Sequence, residues 1–275
     1  MINQPETGDT ETIPMPREID WNRRPIIGMV HLSPLPGSYR YTDSMEEILD
    51  RARRDATSLA TGGVDGVLVE NFGDAPYRKR AEPITIAAMA RAVNEVVATV
   101  DLPVGVNVLR NDGVAALAVA AIAQASFIRV NIWSGVAFTD QGVIEGCAAE
   151  VLELKHRLAS QVAVLADVHV KHAAHFDRLE AAVQDAERNL PDALIVTGPG
   201  TGTAADVEAL HGVRRIATLP ILVGSGITTE NLGAYREADG FIVGTALKLE
   251  GHVNNEVDPA RVERLMKERD RVFSK

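Results

Sequence analysis

Asp167, His169 and Lys171 alternate along the stretch "LADVHVKH". In an extended strand successive side chains point to opposite faces, so these three would share one face and Val168, Val170 and His172 the other. A face carrying a carboxylate, an imidazole and an ammonium packs poorly against helices and suits a reactive cleft. Comparable groups end other short apolar runs: His31; Glu70 with Asn71; Asn107 followed by Arg110; Arg129 with Asn131. Several chemistries are open to this set. Glu70 or Asp167 could be a general base, with His169 or His31 as proton partner. Lys171 could bind an anion, or form a Schiff base if an apolar wall lowers its pKa. His31, Glu70, Asp167 and His169 could instead hold a divalent metal through mixed nitrogen and oxygen ligation. Asn71, Asn107, Arg110, Arg129 and Asn131 would then orient a substrate or stabilise a developing oxyanion. Taken singly, each has a structural explanation: a strand-end histidine is often hydrogen-bonded in place, and Arg129 can pair with Glu70 or Asp167. The cluster as a whole favours function.

A second signal is glycine where strands end. "ILVGSGITTE" runs from apolar residues into Gly224, Ser225 and Gly226, and "FIVGTALK" does the same at Gly244 and Thr245. Glycine lets an anion approach the backbone amides closely, and a following helix N-terminus would add partial positive charge. Tight turns alone need glycine too, but two such turns in succession favour a phosphate cradle. "VTGPGTGTAAD", with Gly198, reads as a loop that closes over ligand.

These residues need a scaffold that brings strand ends together. From Pro25 onward short β-branched runs alternate with helical stretches, beginning "PIIGMVHL" and ending "GFIVGTAL". Eight such units in 275 residues, with near-continuous apolar strands, predict an α/β fold: a single (β/α)₈ barrel over residues 24–275. In that fold the strand C-termini carry the chemistry, and the loops after strands seven and eight are the usual phosphate site. Asp65, Asp192 and Asp239 recur just ahead of strands, a weak repeat suited to βα units. The helical stretches include "VIEGCAAEVLELKHRLA" and "TENLGAYREA", and the charges of the last, "RVERLMKERDRVF", read as a solvated face. Residues 1–23 are polar and proline-dotted, without the basic and apolar regions of a signal peptide, and are expected to form a disordered tail.

Composition narrows the partners. A formal charge of −10 argues against a general nucleic-acid binder. No apolar run is long enough for a membrane helix. The single cysteine, Cys147, excludes intramolecular disulfides, makes a cytoplasmic setting the expectation, and reads as a buried structural thiol. The expected partner is a small phosphorylated ligand; a divalent metal and self-association stay open.

At "IIGMVHLSPLPGSYRY", "VENFGDAPY", "VGVNVLRNDGVAALAVA", "FIRVNIWSGVAFTDQGVIEG", "ADVHVKHA" and "VGSGITTENL" the chain resembles the BtpA/SgcQ family, nearly from Pro25 to the C-terminus. Tyr77 stands where many members have Phe. The resemblance implies a barrel similar to those that bind ribulose phosphate. One branch is named for photosystem I biogenesis, another for carbohydrate-uptake neighbours with a nucleoside-triphosphatase label. That label fits poorly, because no G-x-x-x-x-G-K-[ST] loop occurs. The family's blocks fall on the polar residues named above. Two readings stand: an enzyme of lyase or isomerase type acting on a phosphorylated sugar or nucleoside-like ligand, and a non-catalytic biogenesis or stability factor.

Overall fold

The computed structural model describes residues 17–198 and 200–274. Eight parallel strands close into a barrel: Ile26–His31, Gly66–Glu70, Val104–Asn107, Phe127–Val130, Ala163–Val168, Ala193–Val196, Ile221–Val223 and Gly240–Val243, here strands 1 to 8. Outside them lie α1 (Met45–Thr61), α2 (Pro83–Thr99), α3 (Gly113–Ile122), α4 (Ala148–Arg157), α5 (Leu179–Arg188), α6 (Val207–Arg214) and α7 (Pro259–Phe273). The expected (β/α)₈ barrel is the fold. No described helix is long and apolar enough to cross a membrane.

Period-two alternation divides the core. Ile27, Met29, Leu68, Phe127, Leu165, Ala193, Ile195, Leu222 and Ile242 form an inner cluster, while Val30, Val69, Val106, Ile128, Val164 and Val223 pack outward in the larger cluster shared with the helices. Gly105 is the gap that admits the largest inner residue: a Cβ there would lie 2.1 Å from the Phe127 ring. Continuing the inward parity two residues beyond these apolar positions reaches His31, Glu70, Arg129, Asp167, Gly224 and Gly244. The barrel thus has an apolar plug and a polar top layer. Register aligns that layer, with His31 opposite Glu70 and Glu70 opposite Asn107.

The recurring aspartates form a clasp at the opposite rim. The carboxylates of Asp65, Asp192 and Asp239 accept from the N–H groups of Ile26 (2.9 Å), Val164 (2.7 Å) and Ile221 (2.8 Å). Each aspartate's own N–H donates back to the same residue's carbonyl. Strand pairs 1–2, 5–6 and 7–8 are therefore locked alike, which explains the repeat in the sequence.

Three expectations change. Residues 1–16 lie outside the described part, but Ile19 and Trp21, expected in the tail, already pack against the inner cluster. The expected helix from Val143 begins only at Ala148; Val136–Thr139 and Gly142–Glu145 form a hairpin, with Gly142 at φ 85° turning the chain. "TENLGAYREA" forms only the 3₁₀ turn Leu232–Ala234.

Asp65 also receives Arg269 of α7 at 2.7 Å, with the arginine side chain 6% exposed. Asp65→Ala should strand both the Ile26 N–H and this cation, lowering the unfolding free energy in urea by about 3–5 kcal/mol. A loss under about 1 kcal/mol would show that the clasp is dispensable.

Candidate active site at the barrel mouth

Strand 4 raises Arg129 directly above the Phe127 plug, where its side chain is 3% exposed. A guanidinium there needs neutralising, and Asp167 on the neighbouring strand does so with two parallel bonds of 2.9 Å, from Nε to Oδ1 and from NH2 to Oδ2. Asn131 adds a third bond to Oδ2 at 3.0 Å. Asn107 donates to the Arg129 carbonyl (2.9 Å) and to Asn131 Oδ1 (3.3 Å). This network fixes the floor of the mouth. It also removes Asp167 from the candidate bases, since both its oxygens are engaged, and commits Asn107 and Asn131 to positioning.

Above this floor lies a cavity of about 450 Å³ lined by His31, Glu70, Arg129 and Lys171 on one side and Gly224–Glu230 and Gly244–Leu247 on the other. His31 Nε2 sits 3.8 Å from Glu70 Oε1, and its ring packs on Phe72 at 4.6 Å. Burial holds the His31 imidazole well below its ordinary pKa, helped by the cations of Lys248 and Lys171. Burial likewise raises Glu70, against the pull of Arg129 and Lys171. Lys171 is lowered, first by burial and then by Arg129, with Glu70 and Asp167 opposing. The site therefore holds a carboxyl that keeps its proton to higher pH and an amine that gives one up more readily, shifts in the direction acid–base chemistry uses.

Other expected residues are placed elsewhere. Strand 5 ends at Val168 and His169 turns at φ 49°, so alternation fails and its ring leaves the mouth to meet Asp177 at 2.9 Å. His31, Glu70, Asp167 and His169 consequently do not converge as a metal set. Asn71 ties strand 2 to the next loop by accepting from Leu109 N–H (2.7 Å) and donating to Asp74 (2.8 Å). Arg110 donates to the Lys171 carbonyl at 2.7 Å, steadying the segment that delivers that lysine.

The glycine loops line the other half of the cavity. Gly226, at φ 67°, would bring a Cβ to 2.2 Å from Ala204 N, so only glycine fits. Ser225 Oγ accepts from Gly198 N–H (2.8 Å) and donates to the Thr203 carbonyl (2.9 Å). That hydroxyl and the Gly198 amide thus fasten loop 6 to loop 7 and are not free for a ligand. Among the described residues the N–H groups of Gly226 and Ile227 find no backbone acceptor, and those of Thr245 and Ala246 open a 3₁₀ turn, where the first N–H groups have no partner within the turn. The helix N-terminus expected behind each loop is replaced by the short 3₁₀ turns Leu232–Ala234 and Thr245–Leu247. Positive charge comes instead from α7, whose Arg261 and exposed Arg264 also line the cavity. Arg261 is anchored on the Ala246 carbonyl (3.3 Å) and near Asp258 (3.7 Å). Periodicity alone had assigned these arginines to solvent, because nothing local marks a helix face that borders a distant loop.

Two groups unremarked in the sequence support the mouth. Lys248 is fully buried and donates to Asp55 of α1 at 2.7 Å, while Asp55 also accepts from Val257 N–H. Thr201 and Gly202 reach the cavity from loop 6, with Thr201 held by His172 (3.2 Å). Cys147 caps α4 with its thiol pushed up to about 11 by burial, as an inert structural group should be.

A closed (β/α)₈ barrel with a polar mouth opening onto glycine-rich seventh and eighth loops defines the class. The sequence pattern of the BtpA family matches residues 22–271, and the chain belongs to that family. An uncharacterised protein of Thermococcus kodakarensis is 50% identical over 250 residues, 90% of this chain and 96% of the relative. The photosystem I biogenesis protein BtpA of Synechocystis is 46% identical over 244 residues, 86% of this chain and 85% of the relative. Among solved structures, thiamine phosphate pyrophosphorylase from Pyrococcus furiosus superposes with a TM-score of 0.59 at 15% identity, covering 92% of this chain and 99% of that one. The geranylgeranylglyceryl phosphate synthase of Thermoplasma acidophilum, complexed with sn-glycerol-1-phosphate, gives 0.57 at 15% identity, covering 90% and 94%. At such identities these two structures share the fold.

The folded state takes up a proton on His31 less readily than the unfolded chain does. Its contribution is therefore full above about pH 6.5 and is lost as pH falls from there towards the lowered pKa. His31→Gln should flatten the decline in unfolding free energy from about pH 6.5 to about pH 5; an unchanged slope would show that His31 titrates normally.

Proposed function

We propose that the mouth binds a small phosphorylated sugar or nucleoside-like compound and performs acid–base chemistry of lyase or isomerase type on it. The carrying observation is that one cavity joins Glu70, Lys171 and His31 to the backbone amides of Gly226, Ile227, Thr245 and Ala246. The phosphate would rest on those amides, with Arg264 above it. Its carbon end would then face Glu70 as proton donor, Lys171 as base and Arg129 as a fixed positive charge. A volume of about 450 Å³ suits a ligand of that size. The printed names of the structural neighbours, a thiamine phosphate pyrophosphorylase and a synthase holding sn-glycerol-1-phosphate, support the ligand class.

A scaffold reading draws on a different feature. The hairpin exposes Val136, Phe138 and Val143, with Phe176 edge-on to Phe138 at 4.9 Å, and one relative is named for photosystem I biogenesis. The polar mouth is unexplained by that reading, which is why the enzyme is preferred.

Melting the protein with phosphorylated pentoses and their unphosphorylated counterparts tests the proposal. A phosphorylated ligand at 100 times its Kd adds about 2.7 kcal/mol, a rise of about 5–10 °C for a chain of this size. Thr245→Asp, which sets a carboxylate among the amides, should abolish the rise, and Arg264→Ser should reduce it. Equal shifts with the unphosphorylated sugars, or a shift untouched by Thr245→Asp, would overturn the assignment. For the chemistry, a bound phosphoketose in heavy water should exchange the hydrogen beside its carbonyl, and Lys171→Met should stop that exchange without weakening binding. Undiminished exchange in Lys171→Met would remove the lysine from the role of base.

A further inference from the structure

Bordering Asn131 and Asp167, outside the residues that line the mouth cavity, three side chains converge that the chemistry above does not use. His169, His175 and Asp177 each bring a ligand-type atom within 4.8 Å of the others. They border a small cavity of about 30 Å³ that Ser134, Asp167 and Asp185 also line. That is room for an ion or a water but not for an organic ligand.

The protonation pattern of the cluster is constrained. His175 Nε2 lies 3.1 Å from the Val170 carbonyl, which can only accept. That nitrogen carries the proton, and Nδ1 is left with its lone pair. The His169 and His175 rings stack at 4.5 Å with 18° between their planes, an arrangement that two imidazolium cations would resist. Asp177 has one oxygen on His169 Nε2 at 2.9 Å and a second to spare. The cluster is rich in acceptors and poor in donors. A hydrogen bond from the outer nitrogen of a ligating histidine to a backbone carbonyl is how such rings are commonly fixed at metal centres.

We propose that His169, His175 and Asp177 bind a divalent late first-row metal ion of the zinc type. Two imidazole nitrogens and a carboxylate oxygen are the donor set such ions prefer, and the fourth position falls to water. Coordination would replace the stacked contact of the two rings, so metal binding requires the partly exposed His169 ring to reorient. The proposal stands independently of the ligand assigned to the mouth. It does have a consequence there: Lys171 lies in the chain between His169 and His175, so an ion joining the two closes a short loop around the lysine and holds it in place.

Titration of the metal-stripped, full-length protein with Co²⁺ reads the site through visible d–d absorption. A single ion per chain, with the strong absorption of a low-coordinate site, is expected. Asp177→Asn and His175→Gln should each weaken binding at least tenfold, with circular dichroism confirming the fold. His172→Gln and Glu70→Gln should leave it unchanged, and Zn²⁺ should displace the cobalt. No stoichiometric binding would overturn the site, as would binding that survives both Asp177→Asn and His175→Gln. Loss in Glu70→Gln would move the ion to the His31–Glu70 pair, and loss in His172→Gln would change the donor set; either result rejects the assignment made here.

Discussion

A charged side chain resting on an apolar plug governs this molecule. Arg129 stands one inward position above Phe127, which Gly105 admits to the barrel axis. Leaving that guanidinium unpaired would cost several kcal/mol. Asp167 therefore meets it with two bonds, and Asn131 and Asn107 complete the network. Three strand ends are thereby fixed in one layer. The remaining mouth residues sit above it with shifted proton affinities, lowered at His31 and Lys171 and raised at Glu70. The barrel is layered, with the apolar cluster lowest, the paired charges above it and the groups of shifted proton affinity on top.

Much of this was legible in the sequence. Eight apolar runs alternating with helical stretches specify the barrel, because strands covered by helices must be apolar on both faces. The barrel rule then placed His31, Glu70, Arg129 and Lys171 at one end. The recurrence of Asp65, Asp192 and Asp239 was visible too, although its meaning as a clasp needed the partners' positions. Which polar residues face the cavity and which are consumed in holding one another was not visible. Asp167 and Glu70 look alike as letters; one is locked on Arg129 and the other is not.

The failures have physical causes. Alternation predicts a shared face only while a strand continues, and strand 5 stops one residue before His169, whose positive φ sends the ring elsewhere. Loops seven and eight end in 3₁₀ turns, so no long helix dipole backs them. The cationic contribution comes from Arg261 and Arg264, well over thirty residues along the chain from Gly226. Ser225 looked like a phosphate ligand by type, but its hydroxyl joins two loops. A barrel site is assembled across strands, and a one-dimensional pattern cannot say which neighbour will claim a hydrogen-bonding group first.

Under the proposed function, the backbone amides of loops seven and eight hold the phosphate. Following backbone amide resonances of the isotopically labelled protein during titration with inorganic phosphate, and then with a phosphorylated pentose, tests it most directly. Saturating shifts concentrated at Gly226, Ile227, Thr245 and Ala246 are expected, with smaller ones at Lys171 and Glu70 only when the sugar is attached. Shifts that leave those four amides untouched, or that cluster elsewhere on the surface, would contradict it.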